Sequence, residues 1–237
     1  MYEQIAANKR KSALIVALFV LFLFALAAAF GELAGMGRAG IVVAVVVSTI
    51  LAVVSYYSSD KVVLAISRAR PATKEEFPYL VNTVEGLAIA AGVPMPRCYV
   101  IDDTAPNAFA TGRDPRNSVI CVTTGLLAKM NRAELEGVVA HEMSHIKNLD
   151  IRLQTIVVVM VGIAALLSDW MMRSLWWGGG GRRSGRDKGG GGYLAVVGLL
   201  LAAFSPLIAR LLQMAVSRRR EFLADASAAM LTRYPAG

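Results

Sequence analysis

The chain has 237 residues, 56% hydrophobic and 18% charged, with a mean hydropathy of +0.53. That composition excludes a disordered chain and speaks against an ordinary soluble domain. Lys plus Arg number 25 and Asp plus Glu 17, a net charge of 25 − 17 = +8. The charges flank apolar runs, so they read as membrane-facing rather than as a nucleic-acid surface.

Four apolar runs follow one another along the chain. Ser12–Gly31 lies between Lys11 and Glu32, and Ala39–Ser59 between Arg38 and Asp60. Leu153–Met172 carries Asp169 near its end, and Tyr193–Ala209 stops at Arg210. Crossing hydrocarbon takes about 20 residues, so the first two read as transmembrane helices. The last two form a second hydrophobic hairpin that either spans or stays shallow. Lys9–Lys11 and Ala27–Ala29 give the first run a rival reading as a cleaved signal, but its length and the run that follows favour a retained anchor. Basic residues at Lys9–Lys11 and at Lys61, Arg68 and Arg70 place both ends of the first hairpin in the cytoplasm. The expected organisation is an N-terminal hairpin over 1–59, a cytoplasmic catalytic domain over 60–152, and a second hairpin over 153–209. Within the last lies a flexible Gly/Arg-rich loop, 173–192, and a helix over 210–237 completes the chain.

Within 60–152 the pattern is a small α+β unit. Pro71–Gly92 reads as a helix, with Thr73 as N-cap, Glu76 closing a capping box and Gly92 ending it. Arg97–Asp102 and Asn117–Thr124 are β-rich runs. Between them, 106–112 is either a loop or an edge strand. Gly125–Lys129 forms a short helix. Asn131, with Glu134 at the capping-box position, opens a longer one that ends near Asn148. Cys98 and Cys121 have no metal or disulfide spacing and read as two small buried thiols.

The longer helix carries His141-Glu142-Met143-Ser144-His145, a complete HExxH and the only two histidines in the chain. Residues four apart on a helix stand one above the other, so both imidazoles can grip one zinc ion while Glu142 reaches water at the metal. A carboxylate so placed can act as general base, because zinc brings the pKa of water toward about 7. Zinc needs a third protein ligand, most simply a carboxylate. Glu134 lies two turns away, and Glu136 and Asp150, five residues outside the pair, are expected to point elsewhere. Glu221 remains, four residues before Asp225 on one face of an amphipathic segment. It reads as the ligand, with Asp225 orienting an imidazole; the competing reading is a solvated acid among arginines. Arg218, Arg219 and Arg220 themselves read as membrane-surface charges that fix topology.

Three segments carry a family resemblance: the histidine motif continued through Asp150, Ala105-Pro-Asn-Ala-Phe-Ala-Thr-Gly at 105–112, and Ser217-Arg-Arg-Arg-Glu-Phe-Leu-Ala-Asp at 217–225. The chain resembles the HtpX membrane zinc metalloproteases, relatives of the CAAX prenyl protease family of gluzincins. The resemblance implies an α-helical membrane protein with about four hydrophobic helices and a small α+β zincin-like metalloprotease domain. It implies Zn2+ held by His141, His145 and Glu221, with Glu142 as general base and acid and Asp225 as the family's acidic position. The implied activity is endoproteolysis of damaged or misfolded membrane proteins at the cytoplasmic face of a prokaryotic inner membrane, in stress quality control. Lipid and unfolded polypeptide are then the partners, and nucleic acid is not. Members of that family usually continue past the equivalent of Gly237, and many gluzincins use a further His or Tyr at the oxyanion, for which no third His exists here. An extended substrate is expected to pair with the Asn107–Thr111 stretch, with Asn107, Ala108 and Phe109 as contacts; a plain structural connection is the equal alternative. A zinc-binding membrane scaffold without strong catalysis is the other functional class, and retention of Glu142 argues against it.

Overall fold

The structure, a computed structural model, describes residues 37–158 and 218–234, with 10, 13–18, 20, 21, 24 and 25. The chain divides into two compact units, one of residues 1–12, 56–156 and 215–237, the other of 13–55 and 157–214.

Helix α1 runs over Gly37–Ile66. It continues the second apolar run past the charge expected to bound it. Asp60 is 9% exposed and ion-paired to Arg97 at 2.5 Å. One turn earlier, the Arg113 guanidinium lies 4.8 Å over the Tyr57 ring and donates to the Tyr57 carbonyl at 3.3 Å. Among the described residues no helix is long and apolar enough to cross a membrane. The expected runs over 153–172 and 193–209 and the loop over 173–192 lie wholly or largely outside the described residues, as does half of the run over 12–31, whose described residues are helical.

A mixed four-stranded sheet forms the framework of the first unit, in the order β1-β2-β4-β3. Its strands are β1 (Arg70–Pro71), β2 (Arg97–Ile101), β3 (Ala108–Gly112) and β4 (Ser118–Thr123). β2 runs parallel to β4, and β1 and β3 run antiparallel to their neighbours. β4 is buried along its whole length, as a continuous Val-Ile-Cys-Val run requires of a central strand. Cys98 and Cys121 are free and buried, and burial pushes their thiols up to about 11 and about 12, which keeps them protonated and inert.

Helix α2 covers Pro78–Ala91, not the whole of 71–92. Arg70–Pro71 pairs with β2 instead, and the expected Thr73 cap closes only a turn, its hydroxyl accepting from the Glu76 N–H at 3.3 Å. The Glu76 carboxylate pairs with Arg70 at 2.7 Å rather than completing a box. Pro78 then sets the true start, since proline loses nothing at the first helical position and holds the residue before it out of the helix. Gly92, at φ +69, ends α2 in the left-handed conformation expected of a glycine cap.

The short helix α3 (Thr124–Lys129) is capped by the Thr123 hydroxyl. Helix α4 (Arg132–Lys147) opens with the expected capping box. Asn131 accepts from the Glu134 N–H, and the Glu134 carboxylate accepts from the Asn131 N–H at 2.8 Å. Leu135, Val139, Met143 and Ile146 form its core stripe, shared with Leu80, Val84 and Leu87 of α2 and Val100, Ile120 and Val122 of the sheet. Residues 150–158 are again helical (α5), and α6 spans Arg218–Thr232. α4 packs most extensively against α6, and also against α2 and β3.

The connection into β3 is pinned from behind. The Thr123 hydroxyl donates to the Ala105 carbonyl at 2.7 Å, and the Gly125 N–H donates to the Asp103 carbonyl at 2.8 Å. A Cβ at Gly125 would fall within 2.1 Å of the Thr104 carbonyl oxygen, so the close approach depends on glycine. Gly125→Ala is expected to destabilise the protein by about 1–3 kcal/mol, read as a lowered Tm. An unchanged Tm would show that the 103–107 connection retreats freely.

Candidate metal centre

α4 places His141 and His145 one turn apart, with their rings edge to face and centroids 4.8 Å apart. Their Nε2 atoms lie 3.2 Å from each other. From α6, the Glu221 carboxylate comes to 3.3 Å from His141 Nε2 and 3.7 Å from His145 Nε2. The ligand atoms of His141, His145 and Glu221 all lie within 4.8 Å of one another. Two imidazole nitrogens and one carboxylate converging on a point are a donor set suited to zinc, with the remaining position open to water and substrate.

The outer nitrogen of each imidazole meets a carboxylate. His141 Nδ1 lies 2.8 Å from Asp225 Oδ1, and His145 Nδ1 lies 3.2 Å from Asp150 Oδ2. A carboxylate there holds the proton on Nδ1 and turns the Nε2 lone pair toward the shared point. Asp225 meets His141 from α6. Asp150, expected to point elsewhere, meets His145. Five further residues along an unbroken helix would rotate its side chain about 140° from His145. The helix is broken, however. α4 stops at Asn148, and Leu149 takes a left-handed φ of +59, rare for a leucine. Asp150 therefore begins α5 turned back toward the imidazole. The signal in the sequence was the expected helix end at Asn148, beyond which helical geometry no longer positions Asp150.

Arg220 also departs from expectation. Its side chain is 12% exposed and its Nε lies 3.9 Å from Asp150 Oδ1. Burial pulls its guanidinium below the usual pKa, against the pull of Asp150 and Glu221.

Glu142 is partly buried beside the three donors. Burial pushes its carboxyl above the usual range; the charges of His145 and His141 and a hydrogen bond from the Ala110 N–H act the other way. For His145, burial works against the charged form, but the Asp150 hydrogen bond and the charges of Glu142 and Asp150 outweigh it and raise the pKa.

β3 borders this centre as the edge strand of the sheet. The Thr123 N–H donates to the Asn107 carbonyl at 3.0 Å, and the Asn107 N–H to the Thr123 hydroxyl at 2.9 Å. Pairing in an antiparallel ladder alternates, so Phe109 and Thr111 also direct their backbone groups to β4, while Ala108, Ala110 and Gly112 face outward. The Ala110 N–H serves Glu142, and the Gly112 N–H donates to the Thr155 hydroxyl of α5 at 3.2 Å. Of the three expected substrate contacts, Asn107 and Phe109 spend their backbone groups within the sheet, and Ala108 presents its own outward.

The sequence pattern of peptidase family M48 matches residues 74–236. The chain is 50% identical over 236 residues to a protease HtpX homolog of Dictyoglomus thermophilum, covering all of this chain and 76% of that one. It is 46% identical to the protease HtpX homolog of Listeria monocytogenes, of which it covers 81%. The crystal structure of S. mikatae Ste24p is similar in fold, with a TM-score of 0.51 at 18% identity, over 98% of this chain and 57% of that one. Glu221→Ala is expected to lower zinc content well below one equivalent per chain by metal analysis. Full occupancy in that variant would remove Glu221 from the donor set.

Proposed function

The chain belongs to peptidase family M48, and we propose that it is a zinc-dependent endopeptidase acting on misfolded or damaged membrane polypeptides at the cytoplasmic face of a prokaryotic inner membrane. The observation that carries this reading is the convergence of His141, His145 and Glu221 with Glu142 alongside. In this reading the two imidazoles and Glu221 hold Zn2+, and Asp225 and Asp150 fix the imidazole tautomers. Zinc, when bound, supplies a Lewis acid that polarises the scissile carbonyl and acidifies water.

Glu142 takes the proton of the attacking water and delivers it to the leaving amine, so one carboxylate serves in turn as base and acid. Glu142 adjoins β3, the strand along which substrate is read. An extended substrate segment pairs with the outward backbone groups of β3 at Ala108, beside Glu142. Backbone pairing tolerates any side chain, which suits a protease of unfolded chains. The apolar runs over 12–31, 39–59, 153–172 and 193–209 anchor the catalytic unit at the bilayer.

Glu142→Ala is expected to retain zinc and to lower kcat/KM on an unfolded model protein by about 100-fold or more. The measurement is cleavage by the detergent-purified protein, with metal content determined in parent and variant together. Cleavage that survives in the zinc-loaded variant would reject Glu142 as the base.

A further inference from the structure

Arg220 lies on α6 directly before Glu221, and Asp150 lies at the start of α5 against His145 of α4. We propose that this pair is a positioning latch: it holds α6 where Glu221 reaches the two imidazoles, without itself touching metal or substrate. The inference rests on the reading of the centre as a zinc site.

The two carboxylates that meet the imidazoles differ sharply in their surroundings. The Asp225 side chain is 65% exposed, so its contact with His141 is weakened by water and cannot by itself fix α6. The Asp150 side chain is 1% exposed. A carboxylate so deeply placed is costly unless cations and donors face it. His145 supplies one partner from α4, and Arg220 supplies another from α6. Asp150 therefore joins both helices that carry the metal ligands. Arg220 precedes Glu221 directly, so any shift of α6 that lengthened the Arg220–Asp150 separation would also withdraw Glu221. The burial of both partners shields their attraction from salt, whereas Arg218, on the same helix, is exposed.

Arg220 is thus a positioning residue. Its loss removes the α6 partner of Asp150 and frees α6 to settle at another height. Zinc affinity is the direct readout, measured by chelator competition on the detergent-purified full chain. The set comprises the parent, Arg220→Gln, Arg220→Lys, Asp150→Asn, the Asp150→Asn/Arg220→Gln double variant, and Arg218→Gln as a control on the same helix. Arg220→Gln is expected to weaken zinc about 10–100-fold, with Arg220→Lys recovering most of that loss and Arg218→Gln matching the parent. The double variant is expected to bind no more weakly than the weaker single one, because both break one contact.

Parent-like zinc affinity in Arg220→Gln, or strictly additive losses in the double variant, would overturn the latch. So would an Arg220→Gln protein that is unfolded without metal by circular dichroism, since that result assigns Arg220 to the fold as a whole. A parent that binds no zinc would remove the metal-site reading itself, and the latch with it.

Discussion

Each imidazole of α4 is gripped at its outer nitrogen by a carboxylate from another segment, and the rest of the site depends on that arrangement. A helix alone can stack His141 above His145, but it leaves both rings free to rotate and to change tautomer. Asp225 from α6 and Asp150 from α5 remove that freedom at 2.8 and 3.2 Å. The inner nitrogens then share one point with Glu221. The core stripe of α4 makes this possible from below. Met143 and Ile146 are fully buried, so the face bearing the histidines is set by packing before any ligand arrives.

The sheet serves the site from the other side. β3 is an edge strand, and edges are usually a hazard because their backbone groups solicit other chains. Here part of the edge is occupied, the Gly112 N–H by Thr155. What remains outward is a short stretch at Ala108. A protease that pairs with unfolded chains needs an open edge, and a stable protein needs a small one.

The parts of this site that local rules govern were legible in the sequence. The HExxH spacing, the Asn131–Glu134 capping box and the four-residue interval from Glu221 to Asp225 are helical arithmetic, and the helices are there. β2 and β4 announced themselves as β-branched runs. Departures arose where one rule was carried past its range. Asp150 lies past the helix end at Asn148 and the left-handed turn at Leu149, where helical spacing no longer sets its direction. Thr73 does form its local hydrogen bond, but Pro78 rather than Thr73 decides where the helix starts. Arg220 looked like its two neighbours because charge runs carry no information about burial. Only the packing of α6 on α4 distinguishes it, and that is a tertiary fact.

His145 and Glu221 are separated by 221 − 145 = 76 positions. Closing so long a loop is thermodynamically cheap, since each doubling of length adds only about 0.6 kcal/mol. In time, however, the separation is large. A nascent chain displays both histidines and Glu142 well before the ribosome has added Glu221, Arg220 or Asp225. Until then the centre has two donors of its three, with neither the latch nor the second carboxylate in place. A centre built in this order stays short of its third donor until late in synthesis. Its competence arrives only when the chain between the two halves of the site has been laid down and α6 has come home.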